Sequence, residues 1–336
     1  MQVVARVPMR VDLAGGTLDV YPLYVFEGGG LTLNAAISLY ASVSIRTRPD
    51  HRITLHSTDL DYHEEADGLE ALSLEGPLSL VHHALEHYRP EPGLDIIITS
   101  EAPQGSGLGA SSALLMALSA ALCRIDGQAV PFERLIDVGA NIEARVLGIP
   151  TGKQDYFPPL YGGLSVIWFG LDGWKHETFR HSDALIRQIN DRLVVSYTGI
   201  PHSSAATNWA MLKGYIERQG DTVERIREIK EIALEMRAAL DRGDLSGFGV
   251  LLSREWNLRR GLADNVTTPE IDRMVTAAAR AGATSSKICG AGGGGCMTTM
   301  VEPAQLPAAR QALVDAGATI LPATLVGPGL SLEVRP

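Results

Sequence analysis

The chain has 336 residues, 45% of them apolar and 20% charged, with a formal net charge of −10. That length exceeds one ordinary core and predicts two domains, while the composition excludes a disordered or fibrous chain. The acidic balance and the lack of a basic stripe argue against nucleic acid or an anionic membrane as partner, and no apolar run approaches the roughly 18–20 residues of a membrane span.

The N-terminal stretch MQVVARVPMRVDLAGG holds arginines inside its apolar run and has no small-residue cleavage site. It therefore predicts a first strand and not a signal peptide. Cys123, Cys289 and Cys296 lack metal spacing, and so few cysteines suit a reducing, cytoplasmic setting. VVARVPMRV, LTLNAAISLYASVSIRTR and HRITLHS make the first 60 residues β-rich. A short helix is expected over 79–89 and a strand over 93–103. QGSGLGASSALLMALSAALCR starts as a glycine loop and becomes a buried helix from about Ser111.

A second helix runs from Pro131 to Leu147, with Pro at its start and Gly148 just beyond its end. Strands are expected at 163–169 and 193–198, with a polar segment of weak periodicity between them. Residues 203–281 read as nearly all helix, with Val223, Ile226, Ile229, Ala233, Met236 and Leu240 on one face. SSKICG and CMTTMV are strand-like pieces joined by glycines, and a last helix and terminal strands follow. The change from β-rich to helix-rich near 170–200 predicts an α+β protein of two lobes, 1–180 and 181–336.

The 35 glycines are clustered. GSGLG at Gly105–Gly109 lies between a strand and a helix N-terminus, where loop amides and the helix dipole favour an anion. Gly105, Gly107 and Ala110 fit the dinucleotide pattern G-x-G-x-x-A, but the helix is followed by another helix instead of the required second strand. No Walker A loop occurs, and GIPTGK at 148–153 is one residue short. A different ATP loop and a plain tight turn remain. GAGGGG at Gly290–Gly295 favours the ATP loop, because five glycines in six positions imply a backbone flush against a ligand or another loop.

Charged residues sit beside these glycines. Arg10 lies in an apolar run, where an unpaired charge is costly, and Asp19 closes the same glycine turn. Glu143 and Asp155 are carboxylates of the kind phosphoryl transfer needs, one for a metal and one for the acceptor hydroxyl. His82, His83 and His87 read as an exposed helix face, and His202 in TGIPHSSA is given no role.

Together, RVPMRVDLAGGTLD, EAPQGSGLGASSALLMA and KICGAGGGGCMT resemble, in order, the three motifs of the GHMP kinases, and they span residues 6–299. Within that family the chain most resembles the D-glycero-D-manno-heptose 7-phosphate kinases. Those carry R-x-x-x-A-G-G-G-T-D, G-G-x-x-L-N-A-x-I (here GGGLTLNAAI) and G-K-Q-D (here Gly152–Asp155). Tyr156 departs from the Gln that tends to follow. Galactokinase fits less well, because Gly16 and Thr17 stand where it has Glu and His.

The resemblance implies a ribosomal protein S5 domain 2-like N-terminal lobe and a ferredoxin-like C-terminal lobe. It implies an ATP- and Mg²⁺-dependent kinase acting on the anomeric hydroxyl of a sugar or sugar phosphate. The alternatives are another sugar kinase, fucose- or galactose-like, and an idle sugar or nucleotide sensor. Asp155 is implied as base or orienter, with Arg10 beside it. The ATP phosphates are implied to lie against Pro103, Gly105, Ser106, Gly107, Leu108, Gly109, Ala110, Ser111 and Ser112, closed over by Gly292 and Gly293. Mg²⁺ is implied at Ser111 or Ser112 with Glu143, and the sugar at Asp19, Gly15, Gly16, Lys153 and Gly290. A distal phosphate would need a cation, for which Lys213, Arg259 and Arg260 are candidates.

Overall fold

The computed structural model describes residues 1–179, 183–201 and 204–335. The first sheet contains β1 (Gln2–Ala14), β2 (Gly30–Thr47), β3 (Ile53–Ser57), β4 (Tyr62–Ala66) and β5 (Leu94–Ser100). It also contains β6 (Leu164–Gly170) and β7 (Gly173–Thr178). The second sheet contains β8 (Leu193–Tyr197), β9 (Ala283–Ile288), β10 (Cys296–Val301) and β11 (Thr319–Ile320) in the order β11-β8-β10-β9, all antiparallel. The last strand, β12 (Ser331–Arg335), returns to pair antiparallel with β1.

The 18-residue β2 organises the first sheet. Its first part pairs with β6 and its last part with β5, so the sheet forks around residues 36–40. β1 runs antiparallel to β2 between Leu33 and Arg46, with irregularities at Pro8/Met9 and Asp12/Ala14. Pro8 has no N–H to give to a ladder, which places the first break. The second break turns the chain out of the sheet at Ala14, where the Gly15–Asp19 turn begins.

The Ala110–Ile125 helix packs across this sheet and is buried along most of its length, as its Ala-Leu-Met composition requires. The Phe132–Leu147 helix follows, entered from Pro131 and ended at the left-handed Gly148. Four helices lie between Ser204 and Arg280, with Ile226, Ile229, Ala233, Met236 and Leu240 buried as the periodicity predicts. The polar segment after β6 holds two elements that pattern reading left out, edge strand β7 and the Asp183–Asn190 helix. His82 corrects the expected exposed face: it is buried, with Nε2 3.1 Å from a Glu64 carboxylate oxygen. His202 lies outside the described residues.

Candidate active site

A cleft of about 450 Å³ collects most of the residues expected at the site. One side is the loop after β5. Gly105, Gly107 and Gly109 all have left-handed φ, at 65°, 68° and 72°. Gly109 is the N-cap of the Ala110–Ile125 helix and supplies no side chain to its first amides, which leaves those donors for a ligand. Pro103, Ser106, Ala110, Ser111 and Ser112 line the same side. Leu108 does not. It is buried, and its carbonyl accepts the Arg10 amide at 3.1 Å, tying the loop to β1.

The second glycine cluster acts mainly on the first. The Cys296 amide donates to the Ser106 carbonyl at 2.6 Å. A side chain on Gly107 would come within 2.7 Å of the Cys289 carbonyl, and one on Gly295 within 2.6 Å of that of Ser106. Gly292 and Gly293, expected over the phosphates, instead sit against Val266, whose carbonyl accepts the Gly293 amide at 2.7 Å. Gly290 and Ala291 are what this cluster contributes to the cleft lining.

Arg10 and Asp155 meet in a bidentate pair, Nε to Oδ1 at 2.7 Å and Nη2 to Oδ2 at 2.6 Å. The third nitrogen of Arg10 donates to the Gly107 carbonyl, so one guanidinium fixes both the carboxylate and the glycine loop. Burial opposes the charge of Arg10, but Asp155 outweighs it and the net shift is upward. The Asp155 side chain is 26% exposed, open to the cleft, while that of Arg10 is 3% exposed.

Asp19 is buried and accepts the Gln154 amide at 3.0 Å. Gly152 must be glycine here, since a Cβ would lie 1.9 Å from the Asp19 carboxylate. Burial, with the charge of Asp155, raises Asp19 to about 6 against the pull of the Gln154 amide. Gly16 lines the cleft next to it. Gly15, with φ at 77°, turns away onto the carbonyl of Leu31 and is outside the lining. Lys153, expected at the substrate, also points elsewhere. Its ammonium pairs with Asp137 at 2.6 Å, because the tight turn Gln154–Tyr156 that presents Asp155 leaves Lys153 on the other side.

Glu143 accepts hydrogen bonds from Ser112, at 3.4 Å, and from the buried Tyr156 hydroxyl. Ser112, not Ser111, is therefore the serine placed beside this carboxylate. Burial raises Glu143 to about 7 although both hydrogen bonds oppose it. Behind the Asp19 end of the cleft, Lys287 pairs with Asp12 at 2.6 Å and Arg259 with Glu255 at 2.6 Å, all four buried. Sequence reasoning missed this network, although a Lys in the apolar strand SSKICG and an Asp in RVDLAGG were its signals. Of the three cations considered for a distal phosphate, Arg259 reaches the cleft. Lys213 lies near Glu217, and Arg260 pairs with Asp272.

The GHMP kinases N terminal domain matches residues 78–163, and the GHMP kinases C terminal domain matches residues 236–319. The mevalonate kinase of Pyrococcus horikoshii is 30% identical over 339 residues, covering 94% of this chain and 93% of that one. The chain belongs to the GHMP kinase family. The D-glycero-alpha-D-manno-heptose 7-phosphate kinase of Campylobacter jejuni is 28% identical to this GHMP kinase over 306 residues, 89% of each chain. In fold it matches a D-glycero-D-manno-heptose 1-phosphate kinase from Bacteroides thetaiotaomicron with a TM-score of 0.81, at 24% identity and over 99% of both chains. The α+β GHMP kinase fold is thus the fold of this chain, and it is an ATP-dependent kinase by family. Among the described residues no helix is long and apolar enough to cross a membrane.

Proposed function

We propose that this GHMP kinase transfers the γ-phosphoryl group of ATP to the anomeric hydroxyl of a sugar, with D-glycero-D-manno-heptose 7-phosphate as the first acceptor to test. The observation that carries the reading is the Arg10–Asp155 pair, open to the cleft between the glycine loop and Asp19. The two-lobe division near residue 180, with β12 returned to the first lobe, belongs to the same reading.

The residues fit ATP and Mg²⁺. The left-handed glycines and the uncapped helix start offer amides to phosphates. Glu143 is a half-buried carboxylate that forms no ion pair among the described residues and is raised to about 7, a site a cation would relieve. Ser112 and Glu143 would hold Mg²⁺, which supplies charge neutralisation on the transferring phosphoryl group. Asp19 accepts hydrogen bonds from the sugar hydroxyls. Asp155 orients the attacking hydroxyl and receives its proton. Arg10 keeps Asp155 at a fixed distance from the glycine loop, so acceptor and donor meet in one geometry.

One observation favours a second reading, an unphosphorylated sugar as acceptor. Among the described residues lining the cleft, the cations are Arg10 and Arg259, and each is committed to a carboxylate. ADP release with Mg-ATP decides between them, across heptose 7-phosphate, fucose, galactose, mannose, homoserine and mevalonate. Turnover on the heptose phosphate alone supports the first reading, and turnover on a free sugar the second. Turnover confined to homoserine or mevalonate overturns both.

A further inference from the structure

Four buried charges lie in series behind the acceptor end of the cleft: Asp12, Lys287, Glu255 and Arg259. Asp12 comes from β1 and Lys287 from β9, so the series spans both sheets. Glu255 and Arg259 stand one turn apart on the Leu245–Arg259 helix. Buried ion pairs are a poor source of stability compared with apolar residues of the same size. The placement of this one suggests another use.

Arg259 does not spend all its donors on Glu255. Its Nη2 also donates to the Gly16 carbonyl at 2.8 Å, and its Nη1 donates to the Thr17 hydroxyl at 3.3 Å. Thr17 is the strained point of the turn. It is buried, β-branched and left-handed, with φ at 78°. A residue of that shape holds that conformation only where its surroundings impose it. The turn closes with the Leu18 amide on the Gly15 carbonyl and the Val20 amide on the Thr17 carbonyl, both at 3.1 Å. Its outcome is the position of Asp19, aimed into the cleft against the Gln154 amide.

We propose that Arg259, oriented by Glu255, is a positioning residue for the acceptor: it clamps the strained Gly15–Asp19 turn so that Asp19 meets the acceptor hydroxyls. The second lobe thereby sets the acceptor site of the first. This rests on the reading of Asp19 as an acceptor contact.

The test is the double variant Glu255→Leu/Arg259→Met. It removes one whole pair and leaves Asp12 and Lys287 paired, so no buried charge is stranded. In the substrate-free protein, hydrogen exchange at the Leu18 and Val20 amides should speed up about tenfold, with the Ala110–Ile125 helix unchanged. With Mg-ATP, the KM for D-glycero-D-manno-heptose 7-phosphate, or for L-fucose as second probe, should rise about tenfold or more while the KM for ATP stays within about twofold. Arg259→Lys keeps the charge but loses the fork. It should show the same split, and it carries both measurements if the double variant does not fold.

Unchanged exchange in the turn overturns the clamp whether or not either probe is turned over. So does a parallel rise in both KM values, the mark of a merely structural role. Asp19→Asn separates the two levels. If it leaves the acceptor KM unchanged, the underlying reading fails. If it raises that KM while the Arg259 variants do not, the clamp alone fails.

Discussion

Replacing Glu143 with Gln tests the electrostatics of the cleft while keeping its shape. Burial, reinforced by the charge of Asp155, raises this carboxyl from the ordinary 4.5 to about 7, against the hydrogen bonds from Tyr156 and Ser112. The folded protein thus holds the proton more tightly than the unfolded chain does. The contribution is fully present below about pH 4.5 and is lost as pH rises through about 7. At about 1.4 kcal/mol per pH unit, the interval from 4.5 to about 7 corresponds to about 3 kcal/mol.

Gln carries no proton to lose, so Glu143→Gln should lack this component. Urea denaturation of the metal-free protein at pH 5, 6, 7 and 8 measures it. The difference should be smallest at pH 5, and the variant should gain about 2–3 kcal/mol on the parent between pH 5 and pH 8. Asp19, raised to about 6, contributes a slope of the same sign to both proteins and cancels in the difference. Mg²⁺ with ADP at pH 8 should narrow the gap by supplying the missing countercharge. Parallel stability profiles from pH 5 to 8 would refute the argument.

Asp155→Ala should reduce kcat by roughly 10²-fold or more with ATP affinity nearly unchanged, and near-normal turnover would remove Asp155 from the mechanism. Gly107→Ala puts a Cβ 2.7 Å from the Cys289 carbonyl in a left-handed position. The KM for ATP should rise roughly tenfold, by displacement of the loop, and an unaltered KM would count against its phosphate role. Lys287→Met strands the buried Asp12 carboxylate, and equilibrium denaturation should show a loss of about 3–5 kcal/mol. A loss below about 1 kcal/mol would mean that water or a shifted Arg259 reaches Asp12.

The strands of the first 60 residues and the glycine loop were legible because their signals are local: β-branched runs, glycine after a strand, small residues opening a helix. Arg10 was legible by its setting in an apolar run, and it proved to be paired. What failed were inferences that needed direction. Lys153 and Asp155 are two residues apart, and sequence put both at the substrate. The turn between them sends the ammonium to Asp137 and the carboxylate to the cleft. Gly292 and Gly293 were credited to the ligand, yet Val266 accounts for them. Strand β7, GWKHET, was missed because its pairing with β6 supplies what its polar composition does not advertise. Glu255 was missed although Arg259 stands four residues on in the same helix, because such a spacing reads as an ordinary surface pair and only the packing buries it.

In the proposed two-lobe division the chain passes between the lobes twice, before β8 and again after β11 on its way to β12. Two crossings leave those lobes one axis to rotate about, and one buried ion pair, Asp12–Lys287, stitches across it together with the Arg259 hydrogen bonds to Gly16 and Thr17. Prying the lobes apart would part Asp12 from Lys287 and pull Arg259 off the Gly16 carbonyl. In that division, contacts buried at the seam oppose opening of the halves. Substrates and products must come and go past surface segments, so turnover should follow the speed of loops and not of a hinge.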